Sequence, residues 1–104
     1  MKRFADKVCF VTASTQGIGF EIAKRMAEEG GQVIICSRKE ENLKEALEKL
    51  KDFKCEGLIC DVSIKEERLK ALNFIEQKFG RIDVLVCNQG GNYKLGNQLE
   101  MTEE

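Results

Sequence analysis

The residues best suited to bind a ligand form a short stretch of small side chains after an apolar run near the amino terminus. Gly17 and Gly19 leave no Cβ between the main chain and an approaching phosphate, while Ser14 and Thr15 offer hydroxyl donors. A helical pattern begins here, and the first amides of a helix lack intrahelical partners and favour an anion. The sequence therefore predicts a pyrophosphate site built from Ala13, Ser14, Thr15, Gln16, Gly17, Ile18 and Gly19. The alternative is that Gly-x-Gly serves only close packing of a helix on a sheet.

A second candidate group, Ser37, Arg38 and Lys39, lies at the end of another apolar run. Folds that bind NAD usually place an acid here to accept the ribose hydroxyls, whereas a cation suits the 2′-phosphate of NADP. The guanidinium of Arg38 can make two charge-assisted hydrogen bonds to phosphate, with Ser37 as a further donor and Lys39 behind it. The residues therefore predict NADP as the cofactor. The alternative is a solvated basic pair at the start of a helix.

These groups need a scaffold that brings the ends of several strands together, and the hydropathy pattern predicts one. Continuous apolar runs indicate parallel strands buried on both faces at 7–12, 32–37, 55–61 and 83–87. Helical spacing of apolar residues indicates helices at 17–29, 40–51 and 65–79. The third helix is expected to pack through Leu69, Leu72, Ile75 and Phe79, and residues 88–92 are expected to form a loop.

This alternation of strands and helices is a βαβ series. It predicts a Rossmann-like α/β fold with a parallel sheet in the order 3-2-1-4, helices on both faces and right-handed crossovers. A ligand is then expected over the crevice between the first and fourth strands, because the carboxyl ends of parallel strands meet at one edge of the sheet.

The length and net charge of the chain limit the number of domains and the kinds of partner that it is expected to have. The 104 residues suit one domain, which is small for an α/β enzyme. The 17 basic and 18 acidic residues give a net charge of −1, which disfavours nucleic acid and anionic membrane surfaces as partners. No apolar run reaches the roughly 20 residues of a membrane span, and the amino terminus does not resemble a secretory signal. The cytoplasm is therefore the expected location.

The chain contains five cysteines, which raises the question of disulfides or a metal site. Four of them, Cys9, Cys36, Cys60 and Cys87, fall inside different apolar runs, and Cys55 stands near the start of the third run. There is no C-x-x-C pair and no histidine, and the count is odd. We therefore expect free, reduced core thiols and no metal site.

The segment from Thr12 to Gly19 resembles the T-G-x-x-x-G-x-G fingerprint of the short-chain dehydrogenase/reductases, with Ala13 in place of the first glycine. One branch of that family, the NADP-dependent member 4 type of carbonyl and retinol reductase, carries the same alanine in a T-A-S-T run. The resemblance extends along nearly the whole chain. It implies a Rossmann fold that binds a nicotinamide dinucleotide and supports hydride transfer.

The same resemblance assigns roles to two further pairs of residues. Asp61 and Val62 are similar to the family's D-V pair, in which the carboxylate and a neighbouring amide bind the adenine and the valine packs against it. Asn88 and Gly90 lie in a segment similar to L-V-N-N-A-G, near the cofactor ribose, where Cys87 and Gln89 depart from the pattern. The alternatives are a capping role for Asp61 before Ser63 and an ordinary turn around Asn88.

The resemblance also shows what this chain does not contain. Family members continue far beyond this length, and their catalytic serine and Y-x-x-x-K motif lie in that further part. The only tyrosine here, Tyr93, has no lysine four residues later, so no catalytic residue is assigned. Residues 1–104 are therefore interpreted as the NADP-binding N-terminal half of a short-chain dehydrogenase, truncated before its catalytic half.

Two alternative functions remain open at this stage. One is a non-catalytic dinucleotide-binding module that docks a partner through an open fourth-strand edge, and the other is a flavodoxin-like nucleotide binder. The expected partners are the small-molecule cofactor and either the missing C-terminal half or a second copy of the chain. Exposed sheet edges and apolar surface favour such association.

We predict that this chain alone binds NADP weakly, if at all, and reduces no carbonyl compound, because it lacks a proton donor placed by a Y-x-x-x-K motif. Steady-state assays with NADPH and diketones or retinal measure this directly. Turnover above a protein-free blank would contradict the prediction.

Overall fold

A computed structural model of the chain describes residues 3–12, 17–89 and 92–96, with only the backbone described for 87–89 and 92–96. The described elements alternate between strand and helix until the last two, which are both strands. They are β1 (Val8–Val11), α1 (Gly17–Glu28), β2 (Gln32–Ser37), α2 (Glu40–Lys49), β3 (Cys55–Ile59), α3 (Lys65–Phe79), β4 (Val84–Gln89) and β5 (Asn92–Gly96).

The strands form one sheet in the order β3-β2-β1-β4-β5, and the first four are parallel. The predicted order 3-2-1-4 is therefore confirmed. All four residues of β1 are buried, and so are the last five of β2. Strands covered on both faces need apolar residues at every position, which explains why these runs are continuous rather than alternating.

The end of the described chain differs from the prediction. Residues 88–92 were expected to form a loop, but β4 continues to Gln89, and β5 pairs with it in antiparallel register from Gln89 opposite Asn92 to Leu85 opposite Gly96. Pairing satisfies the outer N–H and C=O groups of β4, which would otherwise be an unpaired edge. The open fourth-strand edge expected for a docking partner is therefore not present in the described part of the chain.

The two faces of the sheet carry separate cores. On one face α1 and α2 cover the sheet, and the buried residues include Ala23, Met26, Leu43, Ala46 and Leu50. On the other face α3 contributes Ala71 and Ile75. The expected stripe of α3 is partly wrong: Leu72 and Phe79 pack against the core, but Leu69 is 42% exposed. The buried line of the helix runs through Ala71 and Ile75, so Leu69 lies on its flank.

The cysteines sit largely where the apolar runs placed them. Cys9, Cys36 and Cys60 are buried free thiols, and Cys55 is a half-buried one. The side chain of Cys87 lies outside the described part. Within the described ranges, no three potential metal ligands come together. None of the helices in those ranges has the length and apolar character needed to cross a membrane.

Helix α3 ends at Gly80, whose φ of 86° lies in the left-handed region and whose N–H donates to the carbonyl of Glu76 at 2.8 Å. Residues with a Cβ adopt this conformation at a cost of about 1 kcal/mol. We predict that Gly80→Ala lowers the free energy of unfolding by about that amount, measured by urea denaturation.

Gly80→Asn is the matched control, because asparagine enters the left-handed region more readily than alanine. Its loss of stability is expected to be smaller. Equal losses in the two variants, or none in either, would contradict the assignment of Gly80 as a conformational cap.

Candidate functional site

The site predicted from sequence lies at the edge where the parallel strands end. Val11 of β1 is in register with Ile35 of β2 on one side and with Val86 of β4 on the other. Beyond the strand, the N–H and hydroxyl of Thr12 both donate to the carbonyl of Val86, at 3.0 and 3.3 Å. The exit of β1 is thus fixed against β4, at the crevice expected to hold the ligand.

Helix α1 follows β1 in the chain, and its amino terminus is part of the predicted site. Of the predicted turn residues, Ala13, Ser14, Thr15 and Gln16 lie outside the described residues. Helix α1 begins at Gly17, whose φ is +64° and whose hypothetical Cβ meets nothing within 4 Å. Gly17 and Ile18 are exposed, whereas Gly19 is buried.

This arrangement distinguishes the two interpretations of the glycines, a pyrophosphate site and close packing of the helix on the sheet. Burial of Gly19 fits close packing of the helix on the sheet. Gly17 is exposed, so packing does not require a glycine there. Its left-handed backbone conformation, however, favours glycine. The open space above Gly17 leaves room for an anion at this end of the helix, where the helix dipole favours negative charge.

At the end of β2, Ser37 is buried and hydrogen-bonded, whereas the next two residues, Arg38 and Lys39, are exposed. Ser37 is buried; its hydroxyl accepts the N–H of Lys39 at 3.1 Å, and its carbonyl accepts the N–H of Cys60 at 2.9 Å. Arg38 and Lys39 are exposed, and Lys39 is the N-cap of α2 without a side-chain cap. Among the described residues, no hydrogen bond or ion pair engages the guanidinium of Arg38. Its charge is therefore available to a ligand.

Asp61 closes the turn between β3 and α3. Its Oδ1 accepts the hydroxyl of Ser63 at 2.6 Å and the N–H of Ser63 at 3.0 Å. These hydrogen bonds hold the pKa of the Asp61 carboxyl below its ordinary value, and the positive charge of Arg38 adds to the effect. The turn role considered as the alternative is thus present, while Oδ2 accepts no hydrogen bond from any described residue.

Two residues that sequence reasoning missed hold this turn from α3. The carboxylate of Glu67 accepts the N–H of Asp61 at 2.7 Å, and Nη1 of Arg68 donates to the carbonyl of Val62 at 2.7 Å. Val62 itself packs against the core beneath α3. The contact from Glu67 could have been predicted from the sequence, because a glutamate at the third position of a helix commonly accepts a hydrogen bond from an amide before the first turn.

The last predicted pair lies mostly outside the described part. Asn88 belongs to β4, opposite Tyr93 of β5, with only its backbone described, and Gly90 falls between the two strands. The structure therefore brings the Ser37–Lys39 segment close to the Asp61–Val62 turn, through the Ser37–Cys60 hydrogen bond and the charge of Arg38 acting on Asp61. The roles of the α1 start, Asn88 and Gly90 remain predictions.

Comparison with known proteins gives consistent matches. The family described as short chain dehydrogenase matches residues 7–104. Tropinone reductase-like 3 of Erythroxylum coca is 46% identical over 98% of this chain and 40% of its own length. Dehydrogenase/reductase SDR family member 4 of Caenorhabditis elegans is 41% identical over 99% of this chain and 41% of its own length. The chain thus spans about two fifths of the length of these relatives.

Solved structures show the same similarity in three dimensions. An actinorhodin polyketide ketoreductase with NADPH is 38% identical with a TM-score of 0.77, over 81% of this chain and 33% of that one. A glucose dehydrogenase of Caenorhabditis elegans in its apo form is 33% identical with a TM-score of 0.80, over 86% of this chain and 40% of that one.

The hydrogen bonds at Asp61 give a pH prediction. Ser63→Ala removes the hydroxyl donor, so the pKa of Asp61 is expected to rise towards its ordinary value of 3.8. Because the folded pKa is depressed, the carboxylate stabilises the fold above the unfolded pKa, and this contribution is lost as the pH falls through the folded pKa. Carboxyl ¹³C NMR titration of Asp61 measures the shift.

Arg38→Gln is the comparison variant, because it removes a charge that acts on Asp61 without a hydrogen bond. Its rise in the pKa of Asp61 is expected to be smaller than that of Ser63→Ala. A larger rise in Arg38→Gln would show that the charge of Arg38, rather than the hydrogen bonds of the turn, mainly sets the pKa of Asp61.

Proposed function

Because the chain belongs to the short-chain dehydrogenase family, we propose that it is the dinucleotide-binding portion of an NADP-dependent oxidoreductase acting on carbonyl or alcohol substrates. The observation that carries this proposal is the position of Arg38, an exposed cation to which no described residue makes a hydrogen bond or ion pair. It follows a strand whose neighbour, β1, leads to the glycine-initiated helix α1. The start of α1 and Arg38 would then receive the pyrophosphate and the 2′-phosphate of NADP.

The pyrophosphate would lie at the start of α1. Gly17 allows the main chain to approach it, and the amides at the start of the helix are proposed as its hydrogen-bond donors. The hydroxyls of Ser14 and Thr15 and the main chain of Ala13 and Gln16 complete this part of the proposal. Ile18 is 56% exposed, which suits an apolar side chain beside a bound ligand.

The 2′-phosphate would lie against Arg38, with Lys39 as a second cation. Ser37 supports this placement, because its oxygen accepts the N–H of Lys39 and its hydroxyl hydrogen stays available for a phosphate oxygen. An acid in place of Arg38 would repel the phosphate, so the residue type itself favours NADP over NAD.

The adenine would contact the turn at Asp61 and Val62. Oδ1 of Asp61 is used by Ser63, so Oδ2 is the oxygen proposed to accept the exocyclic amino group. The bonds from Glu67 and Arg68 hold this turn before any ligand arrives. Asn88 and Gly90 are proposed to lie near the second ribose, at the exit of β4.

The bound nicotinamide supplies hydride to a carbonyl or accepts it from an alcohol. This chain's own residues bind and orient the dinucleotide. We assign none of them as a proton donor, since Tyr93 is followed by Lys94 and Leu95 and has no lysine four positions later.

Arg38→Ala is expected to weaken binding of adenosine 2′,5′-bisphosphate at least about tenfold, since hydrogen bonds between charged groups contribute about 1.5–3 kcal/mol. Binding of adenosine 5′-monophosphate is expected to stay unchanged. Isothermal titration calorimetry with both ligands measures the difference, and these fragments contact only the adenosine half of the proposed site.

Lys44→Ala is the matched control, because Lys44 is an exposed cation on α2 that pairs with Glu40 at 3.6 Å. It should change neither affinity. Equal loss for both ligands in Arg38→Ala, or the same loss in Lys44→Ala, would contradict a 2′-phosphate contact at Arg38.

A further inference from the structure

Two cysteines lie on the same face of the sheet, diagonally across from each other where the neighbouring strands β2 and β3 end. Cys36 of β2 is in register with Leu58 of β3, and Cys60 follows Leu58 by two residues, which returns its side chain to the same face. Both belong to the core beneath α3, with exposures of 0% and 4%. Cys9 packs in the core on the opposite face, and Cys55 packs against that same core.

The two thiols are connected by hydrogen bonds. Cys36 donates to the sulfur of Cys60, and the thiol of Cys60 donates to the carbonyl of Glu67 at 3.5 Å. The hydrogen bond from Cys36 places the two sulfurs near each other. A disulfide requires them to approach further, to about 2.05 Å.

The charge of a half-buried arginine, Arg68, acts on this pair. Nη1 of Arg68 donates to Val62, but Nε of Arg68 is buried with no hydrogen-bond partner in the described part of the chain. The charge of Arg68 acts on Cys60 and favours its thiolate, against the nearby carboxylates of Glu67 and Asp61. A nearby guanidinium charge stabilises a thiolate, so Arg68 favours the charged form of Cys60.

The cysteines differ in the direction of their pKa shifts. Burial raises the pKa of Cys9 to about 11 and that of Cys55 to about 12. The hydrogen bond from Cys36 lowers the pKa of Cys60 below its ordinary value of 9.0, although burial opposes the shift. Since the thiolate is the nucleophile, the lowered pKa favours reaction at Cys60 over reaction at Cys9 or Cys55.

We propose that Cys60 and Cys36 form an oxidation site, in which Cys60 reacts with a small hydroperoxide and Cys36 resolves the product as a disulfide. The Cys60 thiolate attacks the peroxide, breaks the O–O bond and becomes a sulfenic acid, while the peroxide is reduced and leaves as an alkoxide, or as hydroxide from hydrogen peroxide. The Cys36 sulfur then attacks the sulfenic sulfur, and the S–OH oxygen leaves as water with the thiol proton. Two thiols are oxidised and one hydroperoxide is reduced.

Hydrogen peroxide treatment of the 104-residue chain, followed by alkylation and tryptic peptide mapping, tests this site. The expected product links the peptide 26–38 to the peptide 55–65. Because the second peptide also contains Cys55, the link must persist in Cys55→Ala and disappear in Cys60→Ala. Peroxide is expected to oxidise Cys60 at least about tenfold faster than Cys9 or Cys55.

Cys36→Ala separates reactivity from disulfide formation. It should accumulate a sulfenic acid at Cys60 that a 1,3-diketone probe captures, whereas Cys60→Ala should give no such adduct at Cys36. Circular dichroism verifies that both variants keep the helices and strands of the parent. Loss of the link in Cys55→Ala, oxidation of Cys9 and Cys55 as fast as Cys60, or absence of the adduct in folded Cys36→Ala would each overturn the proposal.

Discussion

Parallel pairing of β1 with β2 on one side and β4 on the other is the constraint on which the site depends. In a parallel sheet every strand ends at the same edge, so the segments that follow β1, β2 and β3 must converge there. The pairing is stabilised by complete burial of Phe10 and Val11 and by the two hydrogen bonds from Thr12 to Val86. Without it, the glycine turn and Arg38 would share no surface.

Around that edge, most polar groups are satisfied by the chain itself. The hydroxyl of Ser37 accepts a hydrogen bond from the N–H of Lys39. The carboxylate of Asp61 accepts one from the N–H of Ser63, and the carboxylate of Glu67 accepts one from the N–H of Asp61. The turns therefore hold their shape from local hydrogen bonds, which reduces the ordering that a ligand would have to impose. Arg38 differs from these residues, since its charge is exposed and has no described partner. A preorganised edge with an exposed cation at Arg38 is a suitable binding surface for a phosphate.

The sequence predicted the structure well where the local preference of a segment agrees with its place in the folded chain. The bounds of β2 and α3 match the prediction, and so does the sheet order, because continuous apolar runs specify buried parallel strands. Helix packing was less predictable: apolar spacing alone placed Leu69 in the core, but the rotation of α3 depends on what Ala71 and Ile75 contact. The β4–β5 hairpin was missed although Gly90 and Gly91 separate the strands, a known hairpin signal. Side-chain bonds such as Arg68 to Val62 depend on tertiary geometry that spacing does not specify.

The central claim is that a dinucleotide's phosphates are held by the start of α1 and by Arg38. Amide ¹H–¹⁵N chemical shifts recorded during a titration with NADP test it most directly, because each backbone amide reports its own surroundings. The account predicts the largest changes at Gly17, Ile18 and Gly19, with a second group at Arg38 and Lys39. Changes confined to the surface of α3, with the amides of α1 unaffected, would contradict it.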